Sequence, residues 1–116
     1  MIRRGDLRLV DFDPARRGEV NKRRPAVVVS NDGANSAATR WGAGVITVIP
    51  LTTSTDRVFD FQALLPAPLT GLHYDSKAQA EQIRSVSVGR VGEKLGAVPG
   101  PLMESLDEAM RLHLGL

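Results

Sequence analysis

The sequence contains no cysteine, only two histidines and few aromatic residues. Without cysteine, neither a disulfide framework nor a thiolate zinc site can form. No apolar run approaches the length that a membrane-spanning helix requires. Two arginines stand near the first residue, but no apolar stretch typical of a secretory signal follows them. We therefore expect a cytoplasmic protein.

The scarcity of histidine also limits the catalytic sites that the chain can build. His73 falls in a predicted loop and His113 in the last turn of a predicted helix, so a mechanism that needs both at one phosphate is disfavoured. Asp11 and Asp13 could share a hard cation, but an aspartate before Pro14 is an ordinary turn start. There is no phosphate-binding or dinucleotide-binding glycine motif. We expect no metal and no cofactor.

The alternation of apolar and polar residues predicts one mainly β domain over residues 1–116. Asn31-Asp32-Gly33 is typical of a turn, and Pro101 and Gly115 bracket a segment with helical spacing of apolar residues. Short strands with one terminal helix favour a small antiparallel barrel or half-barrel covered by that helix. The predicted strands are 6–12, 25–30, 45–51, 58–65 and 81–88, and the segments 34–44, 69–80 and 89–98 are predicted as loops or turns.

Charge is distributed unevenly along the chain. The formal net charge is only +2, but residues 3–24 hold eight arginine and lysine residues against four acidic ones. A local basic excess suggests an anionic partner such as a nucleic acid, although charge alone favours an ordinary solvated surface. The polar segment 14–24 is long for a loop in so small a domain, and loops of that kind are often functional.

An arginine and two hydroxyl residues stand at the ends of predicted buried strands. Arg24 precedes Pro25, which biases its backbone toward an extended conformation, and Thr52-Thr53 follows the strand 45–51. Arginine matches the geometry of phosphate, and hydroxyl groups can donate to phosphate oxygens. RNA cleavage by the neighbouring 2′-hydroxyl requires positioning, proton transfer and stabilisation of charge, and no metal. From the residues alone, a phosphate clamp and a surface salt bridge are equally good interpretations of Arg24.

The order and spacing of several short motifs resemble the MazF/PemK/Kid family of endoribonuclease toxins. The resemblance covers nearly the whole chain and is strongest at Arg24–Ser30, RPAVVVS, and at Val48–Thr53, VIPLTT. It also includes Arg4-Gly5-Asp6, Val10–Pro14, Gly18-Glu19 and Glu81–Ser85.

This resemblance implies an SH3-like barrel with a C-terminal helix, acting as a homodimer, and an antitoxin partner with an acidic, extended segment. It implies metal-independent, sequence-specific cleavage of single-stranded RNA, with messenger RNA as the expected target. The expected ends are a 2′,3′-cyclic phosphate and a 5′-hydroxyl. By motif matching, Arg24 and Thr52 correspond to the catalytic residues. The residues expected to contact RNA are Glu19, Lys22, Arg23, Thr53, Gln82 and Arg84.

The sequence departs from the family pattern in three places. Arg8-Leu9 replaces a tryptophan of the first strand that many members carry. A divergent branch uses a loop histidine and an aspartate, where this chain has Gly18 and Glu81, so that version of the mechanism should not transfer. The loop 16–23 is more basic than the common pattern. Since aromatic residues are few, base stacking would use Trp41, Tyr74 or arginine planes.

Three other functions fit the same pattern. A non-enzymatic toxin of the CcdB type, which poisons gyrase, would share the fold but would not need Arg24 and Thr52. A nucleic-acid-binding module without catalysis differs from the enzyme only in the placement of a loop. A pure interaction domain is less attractive because of the basic loop.

Overall fold

The computed structural model describes residues 1–12 and 23–116. The described residues form seven β-strands, three α-helices and two short 3₁₀ helices. The strands are β1 (Asp6–Asp11), β2 (Arg23–Val28), β3 (Val45–Thr52), β4 (Gln62–Leu65), β5 (Ser76–Gln79), β6 (Arg84–Ser87) and β7 (Val91–Ala97). The α-helices are α1 (Asp32–Trp41), α2 (Ala67–Thr70) and α3 (Gly100–Leu114), and the 3₁₀ helices span Ala80–Gln82 and Val88–Arg90. None of these helices is long and apolar enough to cross a membrane.

All strand pairs of the described sheet are antiparallel. The order is β4-β5-β3-β2-β1-β7, and β6 pairs with the first half of β3 while β5 pairs with its last residues. The predicted mainly β fold with an antiparallel sheet and a C-terminal helix is confirmed. The term barrel is too strong, because the pairings of the described residues leave β4 and β7 at opposite ends of an open sheet.

The sheet has a hydrophobic core on each face. Successive residues of β2 and β3 point to opposite faces of the sheet, as strand geometry requires. One core contains Val27 and Ile49 and is covered by α3. The other contains Val28 and Val48 with Phe12, and α1 packs on it. Because both faces are covered, the register of the central strands is fixed by burial on both sides.

The predicted loop 34–44 is wrong, since it is largely the helix α1. The Asn31 side chain accepts a hydrogen bond from the Ala34 N–H at 2.8 Å, so the expected turn is in fact a helix N-cap. Asn35 is fully buried and its amide donates to the Ser30 carbonyl oxygen at 2.9 Å, which joins the helix to the end of β2. Asparagine favours both turns and caps, so the local pattern could not distinguish them.

Three further segments differ from expectation. Only Gln62–Leu65 of the predicted strand 58–65 is a strand. The predicted loop 69–80 includes the end of α2 and all of β5, and the predicted turn 89–98 contains β7. The final helix begins and ends close to the predicted residues, with Gly115 at φ +73° closing it.

Candidate phosphate-binding site

An open cavity lies at one end of the sheet, where β2 begins, β3 ends and β5 begins. Antiparallel neighbours bring these three points together although they are distant in sequence. The cavity measures about 230 Å³. Its lining consists of Arg24, Pro25, Leu51, Thr52, Thr53 and Ser76. It therefore joins both predicted catalytic residues and one predicted RNA-contacting residue, Thr53.

The backbone of Arg24 is held by strand pairing with β1. It lies opposite Val10 of β1. The β2–β3 pairing ends at Ala26 and Pro50, so Arg24 and Thr52 follow at the same end of the sheet, where both line the cavity. The side chain is exposed. Within residues 1–12 and 23–116, no carboxylate lies within ion-pair distance of its guanidinium group. The salt-bridge interpretation of Arg24 thus has no support in the described part of the chain.

Thr52 presents a half-buried hydroxyl to the same cavity. Its Oγ1 accepts a hydrogen bond from the Ser54 N–H at 3.2 Å, which orients the side chain and leaves the hydroxyl proton to be donated. Thr53 is exposed beside it, and Ser76 is buried on the facing strand. The Arg24 guanidinium group, together with the hydroxyl groups of Thr52 and Thr53, is a suitable environment for a phosphate group.

A buried lysine next to the site was missed by the sequence analysis. Lys77 lies opposite Thr52 in the β3–β5 ladder, so both side chains leave the same face of the sheet. It is only 8% exposed, its Nζ donates to the Arg57 carbonyl oxygen at 2.5 Å, and it lies 5.9 Å from the centre of the Phe59 ring. Lys77 therefore ties the segment 53–61, which follows Thr52, back to the sheet.

A second contact holds the same segment. The Gln62 side chain accepts from the Phe59 N–H at 3.1 Å and donates to Glu81 at 2.7 Å. Glu81 thus serves as an anchor for the segment through Gln62. Phe59 also stacks on Phe61 with ring centres 5.2 Å apart. The segment that leaves the cavity is consequently fixed at its far end.

The other residues predicted to contact RNA lie apart from the cavity or outside the described residues. Glu19 and Lys22 lie outside them. Arg23 is the exposed first residue of β2, opposite Asp11. Gln82 and Arg84 are exposed and do not line the cavity.

Arg84 nevertheless shares a sheet face with the site. It lies opposite Val48 of β3, and Val48 and Thr52 point to the same face of that strand. Its guanidinium carbon lies 5.2 Å from the centre of the Phe12 ring, and Nη2 donates to the Phe12 carbonyl oxygen at 3.5 Å. The Arg84 side chain thus already contacts Phe12, the residue that follows β1.

Part of the N-terminal basic excess is used inside the fold. Arg4 donates to the Val29 carbonyl oxygen at 3.0 Å and forms an ion pair with Asp107 of α3. Arg8 binds the buried Asp6 at 2.8 Å. The charge count over residues 3–24 therefore overstated the positive charge available to an external anion.

Asp6 has a perturbed pKa for a local reason. Burial raises its pKa, but hydrogen bonds from the Arg8 side chain and the Arg3 N–H, with the charges of Arg8 and Lys94, outweigh that effect and hold the pKa below its usual value. The carboxylate stays charged and links β1 to β7 through Lys94 at 3.4 Å. This network is structural and does not touch the cavity.

The histidines do not converge on the site. His73 is an exposed residue between α2 and β5, and His113 lies in the last turn of α3. In the part of the chain that the structure describes, no group of three or more histidine, aspartate or glutamate side chains could hold a metal ion.

Comparisons with known proteins point to one family. Residues 3–114 match the model of the PemK-like, MazF-like toxins of type II toxin–antitoxin systems. The chain is 55% identical to the Mycobacterium tuberculosis protein called endoribonuclease MazF9, over 100% of this chain and 98% of that protein.

Solved structures share the fold over nearly the full length. A MazE–MazF complex from Deinococcus radiodurans superposes with a TM-score of 0.73 at 25% identity, covering 99% of this chain and 96% of that one. An endoribonuclease in complex with its cognate antitoxin, from a mycobacterial species, gives a TM-score of 0.76 at 22% identity, covering 100% and 97%. With the family match and the close relative, these findings identify the chain as a member of the PemK-like, MazF-like toxins of type II toxin–antitoxin systems.

Proposed function

We propose that this chain is the endoribonuclease toxin of a toxin–antitoxin pair, and that it cleaves single-stranded RNA at the Arg24–Thr52 cavity without a metal. The observation that carries the proposal is the juxtaposition of a guanidinium group, without an ion-pair partner among the described residues, and a donating hydroxyl in one open cavity. The relative named endoribonuclease MazF9, at 55% identity over the full chain, supports the same activity.

The chemistry follows from what these side chains can do. The 2′-oxygen forms a bond to phosphorus as the bond from phosphorus to the 5′-oxygen breaks, which leaves a 2′,3′-cyclic phosphate and a 5′-hydroxyl. The 2′-hydroxyl gives up one proton and the departing 5′-oxygen takes one up. Arg24 stabilises the charge that develops on the phosphate oxygens, since its pKa is too high for it to act as a base. Thr52 donates its hydroxyl proton to a phosphate oxygen and fixes the position of the phosphate.

The RNA chain is proposed to extend from the cavity toward other basic and polar groups. Arg84 projects from the same sheet face as Thr52, and Arg23 and Thr53 are exposed beside the site. Lys22 and Gln82, with the loop residue Glu19, complete the surface expected from the resemblance. Contacts to phosphates would dominate the affinity and make it dependent on salt.

The partners are proposed by the same reasoning. Relatives of this fold have been solved as a MazE–MazF complex and as an endoribonuclease with its cognate antitoxin, which supports an antitoxin for this chain. An acidic extended peptide would complement the exposed Arg23 and Arg24 and block the phosphate path. We also propose a homodimer, messenger RNA as the target and a cytoplasmic location.

The deciding experiment is cleavage of a long single-stranded RNA by the purified protein in excess EDTA, with the ends mapped. We expect discrete cuts with 2′,3′-cyclic phosphate and 5′-hydroxyl ends. Arg24→Ala should lower the rate by roughly 100- to 10,000-fold, since one positioned charge is lost. Thr52→Ala should have a smaller effect. Arg111→Ala is a matched control, because Arg111 is an exposed arginine of α3 that pairs only with Glu108 among the described residues.

Two outcomes would contradict the proposal. Cleavage by Arg24→Ala near the wild-type rate would remove Arg24 from the mechanism. Intact RNA after incubation with folded wild-type protein would favour a binding module or a gyrase poison of the same fold, and a gyrase inhibition assay would separate those two.

A further inference from the structure

A second cavity adjoins the phosphate-binding one and has a different character. It measures about 190 Å³ and shares Pro25, Thr53 and Ser76 with its neighbour. The rest of its lining consists of Gly71, Leu72, His73, Tyr74 and Leu95. The two cavities are therefore neighbours, one lined by a cation and hydroxyl groups and the other by more apolar residues.

The floor of the second cavity is formed by residues that pack against the core. Leu72 and Leu95 pack against the core under α3. A Cβ built on Gly71 would meet the Leu95 carbonyl oxygen and the Gly96 Cα at 3.6 Å, so the chain after α2 lies directly on β7. An apolar floor that is fixed by the core can bind a flat group without first being ordered.

The rim of this cavity carries exposed groups that suit a base. Tyr74 is 72% exposed, and its backbone carbonyl oxygen accepts from the buried Ser76 hydroxyl at 3.2 Å. The next residue, Asp75, accepts from the Ala67 N–H at 2.8 Å, so two hydrogen bonds hold the chain at and just after Tyr74. Trp41, the other aromatic residue expected to stack, is 77% exposed on α1 and lines neither cavity.

We propose that this second cavity binds a base of the substrate RNA, next to the phosphate held by Arg24 and Thr52. The inference rests on the proposed function. A nucleotide is a charged phosphate joined to a flat, largely apolar base with polar edges, and the two neighbouring cavities offer a matching environment for each part. Leu72 and Leu95 receive one face of the base, Tyr74 stacks on it, and His73 offers a hydrogen-bond partner to its edge. The cavity thereby selects which base may flank the cleaved bond.

Binding and cleavage are measured separately with Tyr74→Ala. The probe is a short single-stranded oligonucleotide carrying the mapped cleavage sequence, with a 2′-deoxy sugar at the scissile position so that it binds without being cut. Stacking on one aromatic side chain is worth roughly 5- to 100-fold in affinity, so Tyr74→Ala should raise Kd by that factor. Leu112→Ala, a truncation of an exposed residue of α3 that lines neither cavity, should leave Kd unchanged.

A second set of probes identifies the base. Each nucleotide flanking the scissile bond is replaced in turn by an abasic one. At one position the abasic probe should weaken wild-type binding and abolish the difference between wild type and Tyr74→Ala. On the cleavable probe, Tyr74→Ala should raise KM more than it lowers kcat.

The outcomes separate this inference from the proposed function. Equal affinity of wild type and Tyr74→Ala for the non-cleavable probe, or a difference that persists with every abasic probe, would overturn the base site even if RNA is cut. Loss of antitoxin binding without loss of RNA binding would assign the cavity to the protein partner and also overturn it. Failure of the wild type to cut any RNA would refute the proposed function. The base site would then be judged with a mixed-sequence single-stranded RNA, to which Tyr74→Ala should still bind more weakly than the wild type.

Discussion

The contact between α2 and β7 allows a sharp prediction about Gly96. A Cβ at this position would lie 2.0 Å from the Thr70 carbonyl oxygen, 3.2 Å from its carbonyl carbon and 3.5 Å from the Gly71 Cα. All three are backbone atoms, so no side-chain rotation can make room. Gly96→Ala must separate α2 from β7.

The loss of folding free energy in Gly96→Ala can be estimated from related substitutions. Overpacking a tight site costs about 1–3 kcal/mol and occasionally more. Because the obstacle here is backbone, we expect at least about 3 kcal/mol. For a domain of this size, each kcal/mol lowers Tm by about 3–6 °C, so Gly96→Ala should lower Tm by roughly 10–20 °C.

Two other glycines serve as matched controls. A Cβ on Gly89 meets nothing within 4 Å, so Gly89→Ala should change stability by about 0.5 kcal/mol or less. A Cβ on Gly92 would lie 2.8 Å from the Leu9 carbonyl oxygen, and Gly92→Ala should fall between the two. Thermal and urea denaturation, followed by circular dichroism, measure all three. A Tm for Gly96→Ala within a few degrees of that for Gly89→Ala would refute the packing of α2 on β7.

Two further predictions concern charged groups. Lys77→Met removes the donor to the Arg57 carbonyl oxygen, so amide exchange at Phe59 and Gln62 should accelerate about 10- to 100-fold while Val27 and Ile49 stay protected. Lys94→Met is the control, and unchanged exchange at Phe59 and Gln62 would show that Lys77 does not hold the segment. Because the folded pKa of Asp6 lies below its unfolded value near 3.9, its stabilisation is present above that value and is lost as pH falls through the folded pKa. Urea denaturation from pH 6 to pH 2 should therefore show a steeper loss for wild type than for Asp6→Asn, and parallel curves would contradict the assignment.

The sequence was most informative for β2 and β3, because the same residues predict the strands and carry the family motifs. Valine-rich runs predicted β2 and β3, and motif matching placed Arg24 and Thr52 at their ends. The structure brings both residues to one cavity because the two strands are antiparallel neighbours. The prediction of these two residues as site residues did not depend on the loops.

Other elements depend on contacts that no local pattern reveals. Lys77 in β5 looks like a solvent-facing residue of a loop, yet it is buried because the segment 53–61 folds over it. In β7, Gly92 and Gly96 resemble turn glycines, but they allow two backbones to approach closely. Arg4 and Arg8 contributed to the basic excess, but their internal partners become visible only in the folded chain.

The core, and not contacts within the candidate site, fixes the register of the strands that carry the site residues. The register that buries Val27 and Ile49 on one face, and Val28 and Val48 on the other, also brings the start of β2 to the end of β3, where Arg24 and Thr52 line one cavity. A slip by one residue would move every side chain of β2 to the wrong face, so burial opposes any other register. Since pairing with β1 holds its backbone, the position of the Arg24 Cα does not depend on an ion pair. Under the proposed function, its guanidinium group, which has no ion-pair partner among the described residues, would bind the phosphate.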